Sequence, residues 1–288
     1  MAVDTRELKP EQFPRRLREI SDPPKKLYLE GTLPSEEYKW LAVVGSRRYT
    51  PYGKEAVETL ISGLAGYRVV IVSGLALGID ALAHHAALRA KLPCIAVPGS
   101  GLNRSVLYPS TNRKLAEAIL KAGGALLSEF EPNFRATAWG FLQRNRIMAG
   151  LSDAVLIVEA EQRSGSLVTS RLATEYNRDV FTVPGSIFSS SSAGPHMLMK
   201  LGATPVTSSD DLLSALGFDL TANSQNRKAD YADCTPEEKE IIELLHAPLS
   251  REDLFNSLDV PVGQANALLS LMELKGLIKE SGGEIHLA

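Results

Sequence analysis

Residues 143–169 read QRNRIMAGLSDAVLIVEAEQRSGSLVT. Two arginines and an asparagine, Arg144, Asn145 and Arg146, precede an uninterrupted apolar run from Ala154 to Val158, whose far end opens into the small hydroxyl residues Ser164, Ser166 and Thr169 around Gly165. A run this short and this apolar is a strand covered on both faces, since a strand with one wet face alternates apolar and polar residues. Its exit into Ser-Gly-Ser followed by a helical pattern leaves backbone N–H groups and a positive helix end available to an anion. The arginines add charge to that surface, so the stretch predicts a phosphate-binding edge on a parallel sheet.

The same pattern repeats on either side. Apolar runs at 41–44, 69–72, 95–97, 125–127, 155–158 and 181–183 each end at Gly, Ser, Pro or Glu, and helical stretches follow at 51–65, 79–90, 111–122, 137–149, 167–177 and 195–201. Six strand–helix units predict an α/β fold: a Rossmann-like, doubly wound, mainly parallel sheet over residues 40–217, with ligands outside the carboxyl ends of its strands. Residues 1–39 are polar and contain Pro10, Pro14, Pro23, Pro24 and Pro34, with one short helical pattern around Phe13 to Ile20, and read as an N-terminal arm. Residues 218–234 have the composition of a linker. In residues 235–288, three helical patterns at 240–245, 250–258 and 262–275 precede a two-stranded ribbon at 277–287, a small C-terminal winged-helix domain.

Composition narrows the function. With 44% hydrophobic residues over 288 positions the chain can bury a core. Cys94 and Cys234 lack any CxxC or Cys/His spacing, which excludes a disulfide framework and a zinc site and fits a reducing cytoplasm. No membrane span is expected, since no segment approaches the roughly 20 apolar residues it needs. The net charge of −3 argues against nucleic acid until it is divided. Ten acidic and four basic residues lie from Thr235 onward, so the large domain is basic and the tail acidic. Arg47, Arg48, Arg104, Arg113, Lys114, Arg135, Arg144, Arg146, Arg163, Arg171 and Arg178 lie in or beside the expected loops and helix starts.

Gly45-Ser46-Arg47 follows the first strand and lets the backbone approach an anion while Arg47 closes over it. The loop from Ser73 and Gly74 to Asp80 spaces glycines as GxxxG, not GxGxxG, and no acidic residue follows to hold a ribose, so no nicotinamide or flavin cofactor is expected. Asp80 reads as a helix-dipole partner or packing group. The loop 99–112 presents Arg113 and Lys114 at a helix start. Phe130, Phe134, Trp139 and Phe141 read as core rather than as base-stacking groups. There is no triad spacing, HExxH or GxxxxGK[ST], and no metal site or cofactor is called for. A binding protein, not an enzyme, is expected.

The runs SGLALGID at 73–80, VPGSG and YPSTN within 97–112, SEF at 128–130, QRNRIMAGLSDAVLIVEA at 143–160, SGSLVTS at 164–170, VFTVPG at 180–185 and GPHMLMKLGA at 194–203 together resemble the DNA-processing protein A (DprA/Smf) family over Pro14 to Leu216. The resemblance implies a domain that binds single-stranded DNA, dimerises, and hands incoming DNA to the RecA recombinase during natural transformation, protecting it from nucleases. By motif it places the DNA groove at Gly45, Ser46, Arg47, Ser73, Gly74, Arg144, Asn145, Arg146, Ser164, Gly165 and Ser166. It suggests Met197, Leu198 and Leu201 for the dimer surface. Departures are Leu77 for the family arginine, Asn103 for an aspartate, Phe141-Leu142-Gln143 ahead of RNR, and His196 for an asparagine. Arg48 and Arg104 are the candidates to compensate for Leu77. Two other classes remain open: a nucleotide phosphoribohydrolase-like enzyme, whose PGGxGTxxE motif is replaced here by SGSLVTSRLATE, and a winged-helix transcriptional regulator, against which the acidic tail argues.

Overall fold

The computed structural model describes residues 5–220, 234–245, 248–258, 260–281 and 283–287. The expected linker lies almost wholly outside them. The chain divides into two compact units, Met1–Phe218 and Asp219–Ala288. No helix among the described residues is long and apolar enough to cross a membrane.

In the first unit the six expected strands form as β3 (Lys39–Val44), β4 (Val69–Ser73), β5 (Cys94–Ala96), β6 (Ala125–Ser128), β7 (Ala154–Ile157) and β8 (Asp179–Thr182). All six pair in parallel, and Leu41, Val70, Ile71, Ile95, Leu126 and Leu156 are fully buried, as continuous apolar runs between two helix layers require. The helices are α2 (Pro51–Ser62), α3 (Ile79–Arg89), α4 (Arg113–Lys121), α5 (Ala138–Leu151), α6 (Ser166–Glu175), α7 (Ala193–Lys200) and α8 (Ser209–Ala215). Two sets pack among themselves, α2 with α3 and α8 and α3 with α4, and α5 with α6.

The sheet order β1-β2-β6-β5-β4-β3-β7-β8-β9 has one reversal. The chain steps outward from β3 to β6, then α5 carries it back so that β7 pairs with the free side of β3, Val44 opposite Ile157. The crevice at the carboxyl ends of β3 and β7 is therefore the switch point, where a doubly wound sheet leaves room for a ligand.

The sheet has nine strands rather than six, and most of the difference comes from the segment read as an arm. β1 (Arg6–Leu8) and β2 (Leu27–Gly31) add antiparallel to β6, and the two-residue β9 (Thr204–Pro205) closes the other edge. Between β1 and β2, α1 (Arg15–Arg18) packs against α5. Phe13, Leu17 and Ile20, in and beside α1, are all buried, and a Cβ on Gly150 of α5 would lie 2.9 Å from Leu17 and 3.0 Å from Ile20. Arg16 is tied to Asp153 at 2.9 Å, and Asp153 also accepts the Trp40 backbone N–H at 2.7 Å. Polar residues and prolines mask the few apolar residues that seat this segment.

The second unit runs α9 (Pro236–Leu244), β10 (Leu249–Ser250), α10 (Arg251–Ser257), α11 (Val262–Leu274), β11 (Ile278–Ser281) and β12 (Glu284–Leu287). The ribbon is three-stranded, not two-stranded, because β10 pairs with β12. Helix, strand, two helices and a hairpin is winged-helix order, around a core that includes Ile241, Leu254, Leu269, Met272 and Ile285.

Leu17→Ala removes a fully buried side chain from the N-terminal segment, and we expect a loss of about 2–5 kcal/mol in urea unfolding. A loss under about 0.5 kcal/mol, typical of surface substitutions, would mean the segment is a detachable arm after all.

Candidate nucleic-acid interface

A cleft of ≈ 570 Å³ occupies the switch point, lined by Gly45 and Arg47 after β3, Asp80 of α3, Phe141, Arg144 and Asn145 of α5, and Ser164, Gly165, Ser166 and Thr169 at the start of α6. Four elements converge because the crossover by α5 lays its one face, Phe141, Arg144, Asn145 and Met148 at i, i+3, i+4 and i+7, against the ends of β3 and β4.

The floor is a buried ion pair. Arg144 is 5% exposed, and its Nη1 lies 3.6 Å from Asp80 Oδ2 and 3.2 Å from Met148 Sδ. The guanidinium reaches Asp80 by passing over Gly74, where an added Cβ would fall 1.2 Å from Nη1, so only glycine fits there. Burial pushes the Asp80 carboxyl up, while the Arg144 charge and the loop amides, including Gly74 N–H at 3.1 Å, pull it down. These amides point inward onto Asp80 rather than outward. Ser73 is fully buried with its hydroxyl on the Val43 carbonyl at 2.6 Å. The expectation that Ser73 and Gly74 present groups to a ligand is therefore corrected: they build the floor.

Arg146 does not face outward either. It is 8% exposed, paired with Glu129 and with Asp22 at 3.3 Å, and donates to the Asp22 carbonyl at 2.7 Å. It fastens the N-terminal segment to the end of β6 and does not line the cleft. Arg113 and Lys114 stand apart from the cleft as well, with Arg113 turned onto the Ser105 carbonyl at 3.1 Å. Arg104 cannot compensate for Leu77, because Glu30 and Glu117 both hold it. The sequence shows charge but not its partner, which here lies up to 124 residues away.

What remains available is narrower and better defined. Arg47 is exposed and lies over the Phe141 ring at 4.8 Å, so Phe141 is a platform on the cleft wall and not core. Phe130 and Phe134 do stack on each other at 4.5 Å, and Phe130 is buried. The helix α6 begins without an acidic residue in its first turn, its first N–H, on Ser166, is met by Ser164 Oγ at 3.3 Å, and Asn145 Nδ2 holds the preceding turn through the Gly165 carbonyl at 3.3 Å. Ser164 and Ser166 share a hydroxyl contact at 2.7 Å. Two buried polar atoms at the cleft have no partner, Arg144 Nε and Thr169 Oγ1. By contrast Glu159 fills the start of α2, accepting from Thr50 N at 3.0 Å and Thr50 Oγ1 at 2.5 Å, and Gly53 leaves room for its carboxylate. Arg47 and the α6 terminus are thus the positive features of the cleft that no carboxylate occupies.

Sequence reasoning missed two participants: the Asp80–Arg144 pairing, and Asn112, whose Nδ2 pins the Leu75 and Ala76 carbonyls at 2.9 and 3.1 Å. The helical spacing of Phe141 with Arg144 was a usable signal. Arg144→Ala leaves Asp80 buried without its counter-charge, and a loss of about 3–5 kcal/mol in chemical denaturation is expected. Arg47→Ala, on the surface, should stay within about 0.5 kcal/mol of the parent. Equal stabilities for the two variants would contradict the assignment of floor and wall.

The comparisons agree with this architecture. Residues 6–217 match the family model for DNA recombination-mediator protein A. Protein Smf of Escherichia coli is 46% identical over 210 residues, 73% of this chain, and the chain spans only 56% of that protein's length. DNA processing protein DprA of Streptococcus pneumoniae is 44% identical over 206 residues, 72% of each chain. The X-ray structure of DprA from Streptococcus pneumoniae superposes with a TM-score of 0.70 at 42% identity, covering 75% of this chain and 76% of that one. The DNA processing protein A of Helicobacter pylori does so at 0.64 and 33%, covering 74% and 95%. A Rossmann-like sheet with its cleft at the switch point, matched over most of the first unit, places this chain in the DNA recombination-mediator protein A (DprA/Smf) family.

Proposed function

We propose that this protein is a single-stranded DNA-binding recombination mediator that protects incoming DNA and loads RecA during natural transformation, acting in the cytoplasm by binding and not by catalysis. The observation that carries the reading is the cleft itself: an exposed guanidinium seated on an aromatic ring, a helix end with no acidic residue in its first turn, and a buried guanidinium N–H without a partner. Family membership and the Helicobacter pylori relative, described for its single-stranded DNA binding mode, support it. A single strand can lay a phosphate at the α6 end and turn a base toward Arg47 and Phe141. In a duplex the bases are stacked away from such a wall. The carboxylates near the cleft, Asp80 and Glu159, are both engaged in holding the scaffold, which favours binding over acid–base chemistry.

A homodimer is part of the proposal. Of the three side chains suggested by motif, Leu198 is buried in its own unit, but Leu201 is 76% exposed beside a hollow of ≈ 700 Å³ that Met197 and Ala203 also line. The winged helix is assigned a protein-contact or regulatory role. Its α11 has no Lys or Arg, and Lys275 just beyond is held by Glu238 at 2.6 Å, so groove insertion would lack cations.

Titrating single-stranded and duplex oligonucleotides at several salt concentrations tests the reading. The single strand is expected to bind more tightly, and Arg47→Ala to lower both affinity and the slope of log K against log salt, by about 0.7 per lost phosphate contact. Duplex preference, or an unchanged slope, would remove it. Light scattering of Leu201→Glu is expected to give a monomer where the parent is a dimer; a monomeric parent would remove the dimer.

A further inference from the structure

Among the described residues of the first unit, the exposed aromatic side chains are Tyr49, Tyr52, Tyr108, Trp139 and Phe188. Each lies in a segment that follows the carboxyl end of a parallel strand, the same edge of the sheet that carries the cleft. Phe188 is the extreme, 93% exposed, with Ile187 beside it at 79%.

The turn that carries Phe188 is held rather than loose. Ser186 Oγ accepts the Phe188 N–H at 3.2 Å, and its carbonyl accepts the Ser189 N–H at 3.1 Å. Tyr52 OH donates to the Pro184 carbonyl at 2.5 Å, and His196 Nε2 contacts the Gly185 carbonyl at 3.0 Å. A hollow of ≈ 510 Å³ beneath the turn is lined by Thr50, Tyr52, Glu159, Gly185 and four serines. Its single carboxylate is already met by Thr50 and by Ser191 Oγ at 3.2 Å.

This hollow and the cleft share one wall. The loop between β3 and α2 gives Gly45 and Arg47 to the cleft and, three residues later, Thr50 to the hollow. Arg48 and Lys54, both exposed and in no ion pair among the described residues, stand at and just beyond this wall. A protein-docking hot spot would be a contiguous apolar patch with a polar rim. Here the Phe188 ring, with Ile187 the other exposed apolar residue of the turn, stands on a turn of serine hydroxyls, and Arg48 and Lys54 flank Thr50 and Tyr52 in sequence, the composition that single-stranded nucleic acid uses: a π-face for a base and donors for its phosphates.

We infer that the Phe188 turn and Tyr52 form a second single-strand subsite, which receives the strand after it leaves the cleft and crosses the 45–50 loop, with a base stacked on Phe188. The inference rests on the reading of the cleft as a single-strand site.

Fluorescence anisotropy with oligothymidylates of about six and about twenty nucleotides tests it, since those lengths bracket one and several subsites. Phe188→Ala should weaken the long strand by about tenfold and leave the short one within about twofold, and Phe188→Trp should restore the long strand, as a lost stacking contact predicts. Because the side chain is almost wholly exposed, the substitution leaves the core intact. An unchanged long strand, or equal losses at both lengths, would overturn the inference. So would an effect confined to the oligomeric state, which would make the turn a protein contact. A parent protein that binds neither length would instead strike down the reading of the cleft, and this one with it.

Discussion

A guanidinium taken out of water needs a counter-charge, and the Asp80–Arg144 pair answers that need at the one place where the sheet reverses direction. Meeting it fixes three things together: the start of α3, which carries Asp80, the loop after β4, which must be glycine at 74, and the rotation of α5. With α5 so turned, Phe141 and Asn145 face the cleft, the first to seat Arg47 and the second to hold the turn before α6. The pair also sets the electrostatics of the site. Its two charges largely offset each other, so the positive character of the cleft rests on Arg47 and the α6 end rather than on a row of arginines.

The amides along the strand ends are divided between scaffold and ligand. Glu159 occupies the start of α2 and Asp80 the loop before α3, each an internal anion where a phosphate could otherwise sit. Only the α6 end among these three is left without a carboxylate. The cleft therefore offers one defined positive helix end in place of a uniform basic groove, the arrangement that the proposed single-strand binding would use.

Arg146 shows how the same motif serves two purposes. Two residues along α5 from Arg144, it points away from the cleft and binds Asp22 and Glu129, tying residues between α1 and β2 to the end of β6. Together with the Arg16–Asp153 bridge it makes the N-terminal segment a structural part of the first unit, whose two strands cover the β6 edge that would otherwise be open.

The periodicity of apolar runs and the small residues that end them were enough to place the six parallel strands, their helices, the cleft at the strand ends and the winged-helix pattern, because burial on both faces and tight βα turns leave local marks. The spacing of the motifs was enough for the family. Pairing was not legible. Whether Arg47 is free, Arg144 buried and Arg146 a tether depends on Asp80, Asp22 and Glu129, which other segments bring into place, and single residues carry no mark of their distant partners. The antiparallel strands at the front were hidden for a related reason: Leu8, Leu27 and Leu29 are too few and too interspersed with polar residues to announce a strand until β6 offers them an edge. Local burial and turn chemistry are thus written in the chain, whereas the partner of each charge is decided only when the sheet assembles.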